Sequence, residues 1–358
     1  MRAHNFGAGP CALPFDVLEE VAAELTDFRG TGMSLIELSH RSKDYESVHM
    51  GTLETLRRVA AVPDDFDILF VQGGATMQFA MVPINLLAPT DRAGVVVAGS
   101  WGKKALSDGS RHGDLVAAWD GAAGGYTTMP AADEVEIDPD WRYVHVTTNE
   151  TIGGIRMVEF PHTHVPLVAD MSSDYLARPI EWDRYDLVYG GVQKNLAPAG
   201  MAVVFVRKSV AANPANEVAN YLRYEFHANS DSLGNTPPMF PIYVMGKVLE
   251  RLEHRGGVAA LEERSAAKAG AVYEVIDGSN GFYRSPVDPA VRSHMNVVFR
   301  LPSEHLEAEF VAGAAEHDLV GLKGHRSVGG CRASLYAALE MDSVEALVSY
   351  MQDFRATH

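Results

Sequence analysis

Six short apolar runs, at residues 68–71, 94–98, 143–146, 167–169, 187–189 and 202–206, limit what this chain can fold into more than any other feature. Each reads as a strand, and they alternate with helical or loop stretches. A largely parallel sheet covered by helices requires that pattern. Ahead of them, Val17, Leu18, Val21 and Leu25 fall at near-helical spacing and predict a helix over 15–28, with another over 45–62. Beyond a helix at 249–254 the pattern changes to helix 258–276, strand 296–300, helix 304–317, strand 332–336 and helix 344–354, a compact α+β unit. At 358 residues, 47% hydrophobic, the chain can bury one large core and a smaller one. The reading is therefore an α/β fold with a boundary near residue 255.

Chemistry gathers at the ends of these strands, where open α/β sheets place ligands. Lys194 lies in Gly190-Gly191-Val192-Gln193-Lys194-Asn195, directly after the apolar run Leu187-Val188-Tyr189. An amine so placed can form a Schiff base. Asp170 ends the run Val165-Pro166-Leu167-Val168-Ala169, so two strand ends can present a carboxylate and an amine to one cavity. Pyridoxal phosphate needs that pair: the amine holds its aldehyde carbon, and the carboxylate keeps its ring nitrogen protonated. Taken alone, the lysine segment also fits a structural turn and the aspartate a loop cap. A third element, Gly73-Gly74-Ala75-Thr76, joins a strand to a helix and suits a phosphate, because the first helical turn has free N–H groups. A plain glycine corner accounts for it equally well. P-loop, GxGxxG, HExxH and GxSxG patterns are missing, which removes the usual support for nucleotide, zinc-protease and serine-hydrolase readings.

Charge narrows the partners. A formal net charge of −17 argues against nucleic acid and against an anionic membrane. No apolar run approaches the roughly 20 residues of a membrane helix, and no signal peptide is read at the amino end, so a cytoplasmic protein is expected. Two cysteines far apart in sequence, Cys11 and Cys331, fit packed thiols in a reduced compartment better than a disulfide framework. His162 and His164 lack an acidic or cysteine partner at a metal-site spacing, and no metal centre is expected.

Seven segments occur in one order: Glu37-Leu38-Ser39-His40-Arg41, Gly73-Gly74-Ala75-Thr76-Met77-Gln78-Phe79, Asn149-Glu150-Thr151-Ile152-Gly153-Gly154, Asp170-Met171-Ser172-Ser173, the lysine segment, Asn235-Thr236-Pro237-Pro238, and Lys323-Gly324-His325-Arg326-Ser327-Val328-Gly329-Gly330. Through them the chain resembles, from Asn5 to its last helix, the phosphoserine aminotransferase family, in the class V branch of the fold-type I pyridoxal-phosphate enzymes. That resemblance implies a large domain, 13–255, with a mainly parallel seven-stranded sheet covered by helices, and a small α+β domain, 256–358 together with 1–12. It implies Lys194 and Asp170 as the catalytic pair. Ala75, Thr76, Trp101, Thr151 and Gln193 would join them around pyridoxal 5'-phosphate, with Trp101 stacked on the ring. Some relatives carry arginine where this chain has Thr76, so side-chain charge for the phosphate must come from elsewhere. Asn235 and Thr236 are implied to reach the partner subunit's cofactor in a homodimer; by themselves they also fit a helix cap. Arg41 and Arg332 are the implied carboxylate or phosphate clamps, and His40, His325 and Arg326 a phosphate-binding group drawn partly from the neighbouring chain. The implied reaction is reversible amino transfer between phosphoserine with 2-oxoglutarate and 3-phosphohydroxypyruvate with glutamate, ping-pong through pyridoxamine phosphate, serving serine synthesis. The alternatives are an alanine–glyoxylate-type transaminase, a cysteine desulfurase using Cys331, and a cofactor-binding regulatory domain without turnover.

Overall fold

The computed structural model describes residues 2–358. Its main sheet has seven strands: β1 (Phe66–Gln72), β2 (Arg92–Val97), β3 (Asp114–Asp120), β4 (Val144–Thr147), β5 (Leu167–Asp170), β6 (Leu187–Gly191) and β7 (Met201–Arg207). They lie in the order β1-β7-β6-β5-β4-β2-β3. β7 runs antiparallel to both neighbours, and every other pairing is parallel. The reason is the connection: residues 192–200 turn directly from β6 into β7, and without a crossover helix a strand can only return antiparallel. The central strands β4, β5 and β6 are buried along their whole length, as their continuous apolar runs require.

The six runs correspond to six of these strands, while β3 has no counterpart among them. It is the edge strand, with Asp114, Ala117 and Asp120 exposed, and its run Leu115-Val116-Ala117-Ala118-Trp119 is a continuous apolar signal outside the six. Helices cover both faces. Those named below are α1 (Phe15–Glu24), α2 (Lys43–Val59), α3 (Gly74–Leu86), α4 (Ser100–Gly109) and α5 (Met239–His254). α1 stops four residues short of the expected 28, and α2 begins two residues early, where Ser42 accepts the N–H of Tyr45 as its N-cap. α5 starts ten residues before the expected 249, with Pro241 in its first turn where no intrahelical N–H is lost.

Alternate residues along one strand feed opposite cores. Ile68 and Phe70 join Trp182, Phe205 and Leu249 on one face, while Leu69 and Val71 join Phe79, Tyr143 and Tyr189 on the other. A separate apolar cluster draws Phe6 together with Val272, Phe299, Phe310, Leu347 and Phe354. The amino end reaches it by pairing His4–Asn5 in parallel with Leu319–Val320. Among the described residues, no helix is long and apolar enough to cross a membrane.

Candidate active site

The carboxyl ends of β1, β4, β5 and β6 share one edge of the sheet, and a cavity of about 330 Å³ opens there. Gly73, Gly74, Ala75 and Thr76 form one wall, at the start of α3. Gly73 has φ +98°, and a Cβ there would lie 2.9 Å from that of Met77, so only glycine permits this corner. The corner turns the free N–H groups of the first helical turn toward the cavity, the arrangement that suits a phosphate. The Gly73 N–H donates to the Gly200 carbonyl at 3.2 Å, which ties the cup to the end of the lysine loop.

Lys194 is 7% exposed, and its Nζ donates to Thr151 Oγ1 at 2.6 Å. Burial is the chief cause that brings its pKa down from 10.5 to about 8. Of the neighbouring charges, only Arg332 helps; Asp170 and Glu150 work in the opposite direction. Desolvation is therefore the larger cause, with the Arg332 charge adding to it. The amino-terminal segment roofs the loop. Cys11 donates its N–H to the Gln193 carbonyl at 3.2 Å and its thiol to the Lys194 carbonyl, and Gly9, at φ +139°, packs along the lysine stem.

Asp170 is 3% exposed and lines the same cavity. Ser172 donates to its Oδ1 twice, from N–H at 2.9 Å and from Oγ at 2.5 Å, and Ser172 Oγ in turn accepts the Gly191 N–H at 3.0 Å. Among the described residues, every hydrogen bond to this carboxyl falls on Oδ1. Burial holds its pKa above the usual carboxylate range, opposed by the Ser172 bonds and the Lys194 charge. Two buried polar atoms at the site have no partner: Thr147 Oγ1, in the lining, and Trp101 Nε1. Both are costly to leave unpaired and are open to a polar ligand. The Trp101 ring, near the start of α4, lies 5.2 Å from Lys194 Nζ and 4.4 Å from Lys104 Nζ. Gln193 completes the lining. A phosphate cup, a buried amine, a buried carboxylate with one oxygen uncommitted and an aromatic wall fit pyridoxal phosphate.

A neighbouring cavity of about 250 Å³ is lined by His325 and Arg332, with Ser100, Tyr126 and Thr127 opposite. Thr151 lines neither cavity but bonds to a residue of each: its hydroxyl accepts from Lys194, and its carbonyl accepts from Arg332 Nη1 at 3.3 Å. Arg332 Nε is buried without a partner. His325 is paired with Ser327 Oγ at 2.7 Å, and Arg326 beside it is exposed. Their loop is pinched shut by Gly324 N–H to the Gly330 carbonyl at 2.8 Å, and Arg300 Nη1 donates to the Val328 carbonyl at 2.7 Å.

His40, Asn235 and Thr236 assemble at the carboxyl end of β1, beside the glycine cup. Asn235 Nδ2 donates to Gln72 Oε1 at 3.1 Å, and Thr236 Oγ1 meets His40 Nδ1 at 3.3 Å. Exposed Arg41 donates from Nε to His40 Nε2 at 3.4 Å. None of these four lines either cavity. The pair does not cap α5 either, whose N-cap is Pro238 with no side-chain bond. Ser172 and Thr147 were given no role from the sequence; the Asp-x-Ser spacing, which lets a carboxylate take the N–H two residues on, was the available signal for Ser172.

The family described as Aminotransferase class-V matches residues 3–347, so fold and cavity together define a pyridoxal-phosphate-dependent class V aminotransferase. The chain is 49% identical over 354 residues to the phosphoserine aminotransferase of Geobacillus kaustophilus, covering 99% of this chain and 98% of that one. It is 46% identical over 358 residues to that of Lysinibacillus sphaericus, covering 100% and 99%. The solved structure of phosphoserine aminotransferase from Bacillus circulans subsp. alkalophilus matches it with a TM-score of 0.97 at 45% identity over 99% of both chains. This chain belongs to the phosphoserine aminotransferase family.

Proposed function

We propose that this enzyme moves an amino group reversibly between phosphoserine with 2-oxoglutarate and 3-phosphohydroxypyruvate with glutamate, a step in making serine. The observation that carries the reading is the double bonding of Thr151, whose hydroxyl meets the buried lysine, near pKa 8, of one cavity and whose carbonyl meets Arg332 of a second cavity lined also by His325. When bound, pyridoxal phosphate supplies the aldehyde that takes up the amino group and the ring that accepts electrons from the substrate's α-carbon. Lys194, neutral in a good fraction of molecules near pH 8, is the base that takes and returns the α-proton. Asp170, pinned through Oδ1 by Ser172, would hold the ring-nitrogen proton. Ala75 and Thr76 would offer N–H groups to the phosphate, and Trp101, Thr151 and Gln193 would hold the ring. Arg332 grips the α-carboxylate common to all four substrates, and His325 and Arg326 hold the phosphate.

His40, Arg41, Asn235 and Thr236 serve the partner's site in a homodimer, a reading supported by their grouping at the surface without lining either of this chain's cavities. Residues 13–255 and 256–358 with 1–12 are the two domains in this reading. A cytoplasmic location goes with it, supported by two free thiols. The desulfurase alternative loses ground at Cys331, whose thiol burial pushes up to about 12, leaving no thiolate at neutral pH. Glutamate added alone should release one 2-oxoglutarate per site and shift the cofactor's absorption, and phosphohydroxypyruvate should then reverse the shift and yield phosphoserine. A spectrum unchanged by glutamate would refute transamination.

A further inference from the structure

Glu150 has no role in the chemistry above, yet it stands between the two groups that frame the lysine amine. It is 0% exposed. Its carboxylate accepts the Trp101 N–H at 3.0 Å to each oxygen and the Gly102 N–H at 2.8 Å. These are the first orphan donors of α4, and the N-cap position is Gly99, which has no side chain to serve them. A Cβ on Gly99 would lie 2.6 Å from Glu150 Cδ, so the absence of a side chain there makes room for the carboxylate.

A serine or threonine cap would satisfy the same donors locally and at less cost than a buried charge. Instead the acceptor comes from 49 residues away. It sits on the short strand Asn149–Glu150, paired with Ile155–Arg156 and anchored by Asn149 Nδ2 to Ser173 Oγ at 2.8 Å and Asn296 Oδ1 at 2.9 Å. The next residue is Thr151, the partner of Lys194 Nζ. One anchored backbone segment thus sets both the hydroxyl that meets the amine and the helix start that carries the Trp101 ring.

We propose that Glu150 is a positioning residue: through the start of α4 it holds the Trp101 ring in place over the cofactor site beside Lys194. This rests on the reading that Trp101 covers the cofactor ring. Burial raises the carboxyl to about 7 while the Gly102 and Trp101 N–H bonds oppose that rise, which agrees with a group kept inside for its bonds to the helix.

The test is a double-mutant cycle on the affinity of cofactor-resolved enzyme for pyridoxal phosphate, followed by the visible circular dichroism of the bound cofactor. The proteins are wild type, Glu150→Gln, Trp101→Phe and the double variant. A glutamine keeps the volume but offers only one accepting oxygen. Glu150→Gln should weaken pyridoxal phosphate binding about tenfold, the worth of one charge-assisted hydrogen bond, and alter the dichroism. In the Trp101→Phe background the same change should cost less than about twofold, because the two residues act as one unit. Gly99→Ala, whose extended φ of −179° suits alanine, should displace the carboxylate and reproduce both results in a chain with Glu150 intact. Equal losses in both backgrounds, or an unchanged affinity and dichroism in Glu150→Gln and Gly99→Ala, would overturn the proposal. If Trp101→Phe itself binds the cofactor as tightly as wild type, the ring-covering reading fails, and the proposal falls with it for that separate reason.

Discussion

Lys194 and Arg326 are both cations assigned to an anionic or electrophilic ligand, and the fold treats them oppositely. Lys194 is buried, hydrogen-bonded to Thr151 and roofed by the amino-terminal segment. Arg326 is exposed on a glycine-rich loop, with His40 and Arg41 likewise at the surface in a different group. The difference follows from the tasks. A lysine that must shed its proton near neutral pH needs desolvation to lower its pKa. A guanidinium proposed to meet a dianion needs to stay charged and reachable. In the proposed reading, chemistry is built into the interior of one chain, while specificity is left on its rim.

If the interior carries the chemistry, Lys194→Ala should fold and bind pyridoxal phosphate yet lose at least about a thousandfold in turnover; borohydride reduction of wild type should label Lys194, and a label on another lysine would end the assignment. Asp170→Asn should cost on the order of a hundredfold with the fold intact, read by steady-state kinetics and circular dichroism. The rim should behave selectively. Arg326→Ala should lower kcat/KM for phosphoserine roughly tenfold to a hundredfold and glutamate less, since a bond to a charged group is worth about 1.5–3 kcal/mol. Arg332→Ala should instead impair both half-reactions alike. Single-turnover reactions with each substrate separate the cases, and equal damage to both from Arg326→Ala would erase the distinction between wall and rim.

A smaller effect tests the shared-site part of the comparison. Replacing Asn235 and Thr236 together by alanine should loosen pyridoxal phosphate about three- to tenfold without unfolding, because they lose hydrogen bonds but no core volume. Cofactor release measured against protein concentration decides it: a monomer that holds pyridoxal phosphate as tightly as the dimer would place these residues outside the site. The least effect belongs to a rim charge with no chemical task. Burial alone would raise the Glu340 carboxyl, but hydrogen bonds from Arg255 and Arg251 outweigh it and bring the pKa from 4.5 to about 2. A depressed carboxyl stabilises fully above pH 4.5 and loses that contribution as pH falls from 4.5 toward 2. Glu340→Gln should therefore lower Tm at pH 7 by about one or two degrees, a half-exposed pair being worth little, and the gap from wild type should close across that window. A gap that persists at pH 2 would show the loss to be packing.

Local pattern alone determined a good deal of this molecule. The central strands were legible because their side chains are buried on both faces and must be apolar in sequence, and the Gly73-Gly74 corner because a left-handed turn demands glycine. Lys194 and Asp170 stood out because each follows such a strand. The edge strand β3 carries its own apolar run, Leu115 to Trp119, so its signal was present in the sequence; only its place at the edge of the sheet needed the fold. Not legible were the balance of causes behind the lowered Lys194 pKa, the Ser172 clamp on Asp170, the Glu150 cap and the separation of His40 from His325. Each of these depends on what surrounds a residue after folding, through contacts such as Trp101 with Glu150 across 49 positions, Arg332 with Thr151 across 181 and His40 with Thr236 across 196. Desolvation and hydrogen bonds between distant segments exist only once the chain is folded, so candidate residues for the chemistry could be named from the sequence while the environment that tunes them could not.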